Sequence, residues 1–295
     1  MKKLEEMNLV DDFLAYSLTS HSKYGEEASR YILGCILTRK IGRLAVVPQR
    51  SWPGEDTHKH GVRLDIYLDE EANGIFDVEP DNNKNSADVE ALPRRVRFYH
   101  AKIDAGNLAA GESYRGLRNV VVVFITTYDP FGYGRMVYTV RNSCVEAPGM
   151  PYEDGAKTIF LYTKGTEGDP PEELRQLLQY MEHSTEDNVR SEGLARLHEI
   201  VTEIKRDREV GLAYMKACEI EQRIREEGRA EGKAEGKAES LLLLLSDLGQ
   251  VPEELKSRVL AEKDPAVLDR WIRASRHAES LKEFMGVDRK RSLDL

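Results

Sequence analysis

The residues best able to do chemistry stand between Val62 and Asp81. In GVRLDIYLD (61–69) the apolar Val62, Leu64, Ile66 and Leu68 alternate with Arg63, Asp65, Tyr67 and Asp69. In GIFDVE (74–79) Phe76 and Val78 are apolar, and Asp77 and Glu79 fall between them. Successive side chains of a strand point to opposite faces, so this alternation predicts two strands. Turn residues between them make the pair a hairpin. Its register can be tested, because directly opposed residues share a face. Setting Asp69 opposite Gly74 puts every apolar residue against a polar one. Setting Asp69 opposite Ile75 puts Leu68 against Phe76, Ile66 against Val78, Tyr67 against Asp77 and Asp65 against Glu79. The second register is the consistent one.

That register brings Cβ atoms of Asp65 and Glu79 to about 5 Å, with Asp77 two residues along the same face. Asp81 joins them if the strand continues past Pro80. Like charges opposed across a ladder are unfavourable and call for an offsetting charge. A divalent cation supplies one: Mg²⁺ (or Mn²⁺) takes one or two carboxylates and keeps waters for a phosphate-bearing substrate. Such an ion generates a hydroxide nucleophile and stabilises the leaving oxygen of a phosphodiester. The competing expectation is an acidic hairpin face turned to water, where Asp and Glu ordinarily sit. The next helix carries Arg94, Arg95, Arg97, Tyr99, His100 and Lys102. At 100° per residue Arg95, Tyr99 and Lys102 are neighbours on one side. Basic and aromatic groups there suit a nucleic-acid backbone; the alternative is a solvated helix flank.

The elements that must position these residues are legible from periodicity. An apolar stripe over Leu4–Leu18 and another over Gly25–Ile41 predict two helices. LAVVPQ (44–49) and the two acidic segments read as strands. A helix is expected over Asp88–Leu108, with Pro93 near its start, where a missing N–H is tolerated. NVVVVFITTY (119–128) is apolar on both faces, as in a central strand, and MVYTV (136–140) and KTIFLY (157–162) read as further strands. Strand signal stops beyond Thr166, and helical patterning opens at Pro170 and Pro171. The expected organisation is a mixed α/β domain over 1–165, a helical extension over 166–225, a Glu-Gly-Arg/Lys repeat over 226–240 and a small helical bundle over 241–295. The repeat places like charges at i+4 and three glycines in one row. Each glycine costs a helix about 1 kcal/mol relative to alanine. A tether that becomes helical on association is the expectation, with packing of the small-residue row as the alternative.

Taken together, GVRLDIYL, IFDVE, LPRRVRFYHAKID and VVFITTYDPFGYGRMVYTV resemble the PD-(D/E)xK family of recombination-promoting nucleases and transposases over roughly residues 1–165. The YDPFG stretch and the Glu-Gly-Arg/Lys repeat share that likeness. The resemblance implies a restriction-endonuclease-like core, a metal held by Asp65 and Glu79, and metal-dependent cleavage of DNA. It also implies an acid from the early helix, for which Glu26 and Glu27 are the candidates. The family pattern puts Lys, or more often Gln, two residues after the glutamate; this sequence has Asp81 there. An ionised Asp neither donates a hydrogen bond nor carries positive charge. Three readings stay open: Asp81 is a further ligand, Lys84 or Arg95 replaces the missing group, or the chain cuts poorly or not at all.

Composition limits the alternatives. Over 295 residues, Lys and Arg number 43 against 52 Asp and Glu, a formal charge of −9, so phosphate binding requires locally concentrated positive charge. The longest apolar runs fall far short of the roughly 18 to 20 residues that span a bilayer, and MKKLEEMNL lacks the apolar stretch of a signal peptide. Cys35, Cys144 and Cys218 lie far apart without metal-ligand spacing, which fits reduced thiols in the cytoplasm. His58 and His60 find no third ligand. GYG (132–134) lacks the spacing of a phosphate loop. DNA is the expected partner, with no membrane, and a homo-oligomer through the C-terminal helices is a further expectation.

Overall fold

The computed structural model describes residues 2–48, 50–52, 62–71 and 73–291; His58 and His60 lie outside them. The early apolar stripe yields α1 (Asp12–Ser20) and then α2 (Gly25–Leu37). Strands β1 (Leu44–Pro48), β2 (Ser51–Trp52), β3 (Val62–Arg63), β4 (Ile66–Glu70) and β5 (Gly74–Asp81) follow. Next come α3 (Ser86–Asn107), β6 (Val120–Thr126), β7 (Val137–Val140) and β8 (Ala156–Tyr162). The helical remainder comprises α4 (Glu172–Glu182), α5 (Glu192–Arg206), α6 (Arg208–Asp247), α7 (Glu253–Ala261), α8 (Pro265–Ser275) and α9 (Leu281–Arg291).

The six-stranded sheet has the order β1-β4-β5-β6-β8-β7. β5 is its hinge of direction: antiparallel to β4 and parallel to β6, which in turn runs parallel to β8. The β4–β5 register sets Ile66 opposite Val78, Tyr67 opposite Asp77, Leu68 opposite Phe76 and Asp69 opposite Ile75, as face matching requires. The expected strand over 61–69 is split: β3 and β4 are separated at Leu64 and Asp65, which places Asp65 in a bend just before the ladder.

Both faces of the sheet are covered. Leu68, Phe76, Val78, Val121, Val123 and Ile125 pack on one side against α1, α2, α4 and α5. On the other, Tyr67, Ile75, Val120, Val122, Phe124 and Phe160 meet Leu92, Val96, Tyr99 and Ile103 of α3. Asn85 caps α3 by accepting from Ala87 N at 3.0 Å. Pro93 stands two turns inside this helix rather than near its start, which forfeits one intrahelical hydrogen bond.

The chain divides into two compact units, Met1–Tyr214 and Met215–Leu295. Residue 166 therefore marks where strands end, not where packing ends: Leu174, Leu177, Leu178, Leu194, Leu197 and Ile200 belong to the first unit's core. In the second unit Ala234, Ala238, Leu241 and Leu245 of α6 pack with Leu255, Val259, Leu268 and Phe284. The glycine repeat lies within the continuous α6; its glycine row, Gly228, Gly232 and Gly236, has nothing within 4 Å among the described residues, and the small residues that find cover are Ala234 and Ala238. No helix among the described residues is long and apolar enough to cross a membrane.

Candidate active site

Side chains on β5 alternate between the two cores, and the face under α3 carries Ile75, Asp77, Glu79 and Asp81. Because α3 covers that face, the acids are not solvated: Asp77 is 0%, Glu79 1% and Asp81 7% exposed. The water-facing acidic hairpin is thus ruled out. β5 continues through Pro80, so Asp81 joins its neighbours. Asp65 reaches the group from the bend before β4, its N–H donating to Glu79 Oε1 at 2.7 Å.

The counter-charge comes from α3. Arg95 donates through Nη2 to Glu79 Oε2 at 3.2 Å, through Nη1 to Asp81 Oδ2 at 2.8 Å and through Nε to the Tyr99 hydroxyl at 2.9 Å. Its guanidinium also lies over the Phe124 and Tyr99 rings, 5.1 and 5.3 Å from their centroids. One cation shared among three buried acids leaves charge uncompensated. Neither oxygen of Asp77 receives a hydrogen-bond donor among the described residues. Burial, and then the charge of Glu79, push the Asp77 carboxyl well above the ordinary carboxylate range. Burial, and then Asp65, raise Glu79 to about 7. Among the described residues no N–H reaches Asp77, so burial and the neighbouring Glu79 both oppose charge on its carboxyl.

Two members of the cluster are not apparent from sequence. Asp12, in the first turn of α1, is raised to about 6 by burial and then by Asp65 and Asp81. It shares with Asp65 a cavity of about 130 Å³, walled also by Phe13, Tyr16, Ile66 and Pro80. Tyr128, just past β6, is pushed up by burial and then by Asp81. Its signal was its place: β6 is parallel to β5, and ligands gather beyond the C-terminal ends of parallel strands. The early-helix acid brought to the cluster is therefore Asp12, not Glu27. Glu27 is bound by Arg196 at 2.7 and 3.1 Å, which holds its carboxyl below the ordinary range, and Glu26 pairs with Arg30. Both line a larger hollow of about 750 Å³ over α2, away from the buried acids.

The basic residues separate. Lys84 is exposed on the loop before α3, and Lys102 lies 5.5 Å from the Phe98 ring centroid. Tyr99 is buried, and burial followed by Glu79 raises its hydroxyl to about 12; it braces Arg95 and cannot offer a stacking face to DNA. The YDPFG turn is braced as well: Asp129 accepts from Phe131 N at 3.0 Å, from Gly134 N and from the Tyr138 hydroxyl at 2.7 Å.

Among the described residues no three His, Cys, Asp or Glu side chains are gathered to cage a metal ion. A closed structural site is not what Mg²⁺ demands, however; one or two carboxylates and several waters suffice. Asp77, with two buried unpartnered oxygens beside Glu79, provides hard oxygen donors of that kind. The donor chemistry fits a divalent ion in this two-carboxylate form. Searches against protein-family models, curated proteins and solved structures found no match to this chain.

Proposed function

We propose that this chain is a metal-dependent endonuclease with a restriction-endonuclease-like core, hydrolysing phosphodiester bonds of DNA at the Asp65, Asp77, Glu79 and Asp81 cluster. The observation that carries the reading is the burial of three acids on one strand face against a single arginine, with Asp77 left unpartnered. Burying unpaired acids costs several kcal/mol per group in folding. Such a cost is characteristic of functional sites, where pKa values are displaced for use.

Asp77 and Glu79 would hold Mg²⁺ or Mn²⁺ in the two-carboxylate form, with waters completing the shell, and Asp65, expected as a third ligand, is not gathered into a three-carboxylate set with them. When bound, the ion supplies stabilisation of phosphate charge and a water of lowered pKa. The protein's own residues do the rest. Burial and then Asp65 raise Glu79 to about 7, so binding of the ion would displace its proton near neutral pH. Arg95 is 39% exposed and has N–H bonds left over from its pairs with Glu79 and Asp81, so it can fork onto a phosphate oxygen pair. Arg95 thereby provides the positive group that Asp81 cannot. Lys84 and Lys102 contribute backbone contacts that carry no sequence information.

One observation favours a second reading, a non-catalytic DNA- or protein-binding scaffold. Arg95 already engages Glu79 and Asp81, as a structural ion-pair network would. Plasmid nicking with Mg²⁺ or Mn²⁺ separates the two, comparing the natural protein with Glu79→Gln and Asp65→Asn. The nuclease reading requires cleavage by the natural chain and loss in both variants. Cleavage by none favours the scaffold, and equal cleavage by all places the activity elsewhere.

A further inference from the structure

Helix α6 carries one heptad stripe along its length. Ala217, Ile220, Ile224, Glu227, Glu231, Ala234, Ala238, Leu241 and Leu245 recur at alternating steps of three and four residues. The C-terminal half of this stripe is covered: Ala234, Ala238, Leu241 and Leu245 are buried against α7, α8 and α9. Its N-terminal half is bare. No residue from Met215 to Lys233 is buried, and Ile224 is 61% exposed.

This bare stretch gains little from its own chain. Gly228 and Gly232 each cost about 1 kcal/mol relative to alanine. The pairs Arg225–Glu221 and Arg223–Glu227 return only about 0.2–0.5 kcal/mol apiece. Helices of this kind owe their stability to cover on an apolar face. We propose that the cover is a second copy of this chain, with α6 pairing to α6 in parallel and in register along Ala217, Ile220 and Ile224.

Charge selects both the occupant and the orientation. Lys216 and Arg223 flank the stripe on one side, and Glu221 flanks it on the other. In a parallel pair the flank of one helix meets the opposite flank of its partner, one heptad on. Lys216 then faces Glu221 of the second copy, and the symmetry repeats the contact. In an antiparallel pair aligned on Ile220 and Ile224 equal flanks meet, setting Arg223 against Arg223 and Glu221 against Glu221. The stripe is thus self-complementary in one direction only. Glu227 and Glu231 end the seam, and Glu231 turns to Lys263 of its own chain at 3.2 Å. The pairing rests on α6 alone and is independent of the chemistry at Glu79.

The test is the mass in solution of the full chain, by light scattering and sedimentation over roughly 1–100 μM, which brackets micromolar association. A dimer is expected. Ile220→Asp with Ile224→Asp should give a monomer whose first unit melts as before. Lys216→Glu should weaken the dimer, and Lys216→Glu with Glu221→Lys should restore it. In a Cys218→Ser background, Ala217→Cys should cross-link to itself on oxidation, because like positions face each other in a parallel pair. A natural chain that stays monomeric overturns the proposal, as does a dimer indifferent to the Asp substitutions. A dimer that Lys216→Glu with Glu221→Lys fails to restore, or one without the Ala217→Cys cross-link, overturns the parallel arrangement.

Discussion

Replacing Glu79 by Gln should make the protein more stable at pH 8, although it removes an ion-pair partner of Arg95. Glu79 is 1% exposed, and its ordinary value of 4.5 is raised to about 7 in the fold. Each tenfold step in proton affinity is worth about 1.4 kcal/mol, so the displacement corresponds to about 3 kcal/mol. Its sign follows from proton counts. Below pH 4.5 both states hold the proton and nothing is lost. Between pH 4.5 and about 7 the unfolded chain has released it while the folded chain keeps it. The folded state then binds more protons, and unfolding free energy falls as pH rises. Above pH 7 the natural protein carries the whole penalty. Gln carries no charge, and the attraction of Arg95 for the carboxylate is already contained in the displacement to about 7, so it is not subtracted again. The net expectation is a gain of about 3 kcal/mol at pH 8 that shrinks toward zero by pH 4.5, with the pH slope of the natural protein flattened in the variant. Urea unfolding at pH 4.5, 6 and 8 measures both. If Glu79→Gln is the less stable protein at pH 8, the Arg95 pair is net stabilising, and the cluster is an ordinary buried salt bridge.

Arg39→Met should cost about 3 kcal/mol at pH 7, because Arg39 and Gly42 N hold the buried Glu70 carboxyl down to about 2. That difference should fade as pH falls from 4.5 toward 2, where Glu70 protonates, and urea titrations at pH 7 and 3 would show it. Gly193→Ala should lower the melting temperature even though alanine favours α5 by about 1 kcal/mol, since its Cβ would stand 2.3 Å from Tyr31 Cε2. Gly232→Ala meets nothing nearby and should raise helix stability, seen in the circular dichroism melt. Phe124→Ala should destabilise the first unit by about 3–5 kcal/mol in denaturant unfolding, since Phe124 is fully buried beneath Arg95 and stacks with Phe160.

The hairpin register was legible because the alternation of Leu68, Ile66, Phe76 and Val78 admits one face-matched pairing. So were the central strand and the mixed α/β character. Burial of the acids was not legible, since it depends on α3 folding back over β5 from a later part of the chain. The early-helix acid was missed for the same reason: Glu26 and Glu27 were the candidates, and Asp12 is set apart from them only by where α1 and α2 lie against the sheet. Tyr99 looked like a contact residue because its spacing matches Arg95 and Lys102, yet the same 100° step turns it inward beside Val96 and Ile103. The glycine repeat was read by its glycine cost, its like charges and its glycine row, whereas the small residues that find cover are Ala234 and Ala238, which lie on another side of the helix.

The sheet's first core is closed by helices translated long after the strands they cover. Leu9 N is held by Ser184 Oγ at 2.9 Å and Val10 N by the Met181 carbonyl at 3.2 Å, while Val201 and Ile204 seal the same layer. A nascent polypeptide that has just made β8 therefore exposes a broad greasy surface with no wall. Pairings of such long range are slow to form and prone to sticking. During synthesis the amino-terminal segment must wait for α4 and α5 to emerge from the ribosome before it can dock. Fragments ending near residue 165 should demand chaperones or precipitate, however complete their strands.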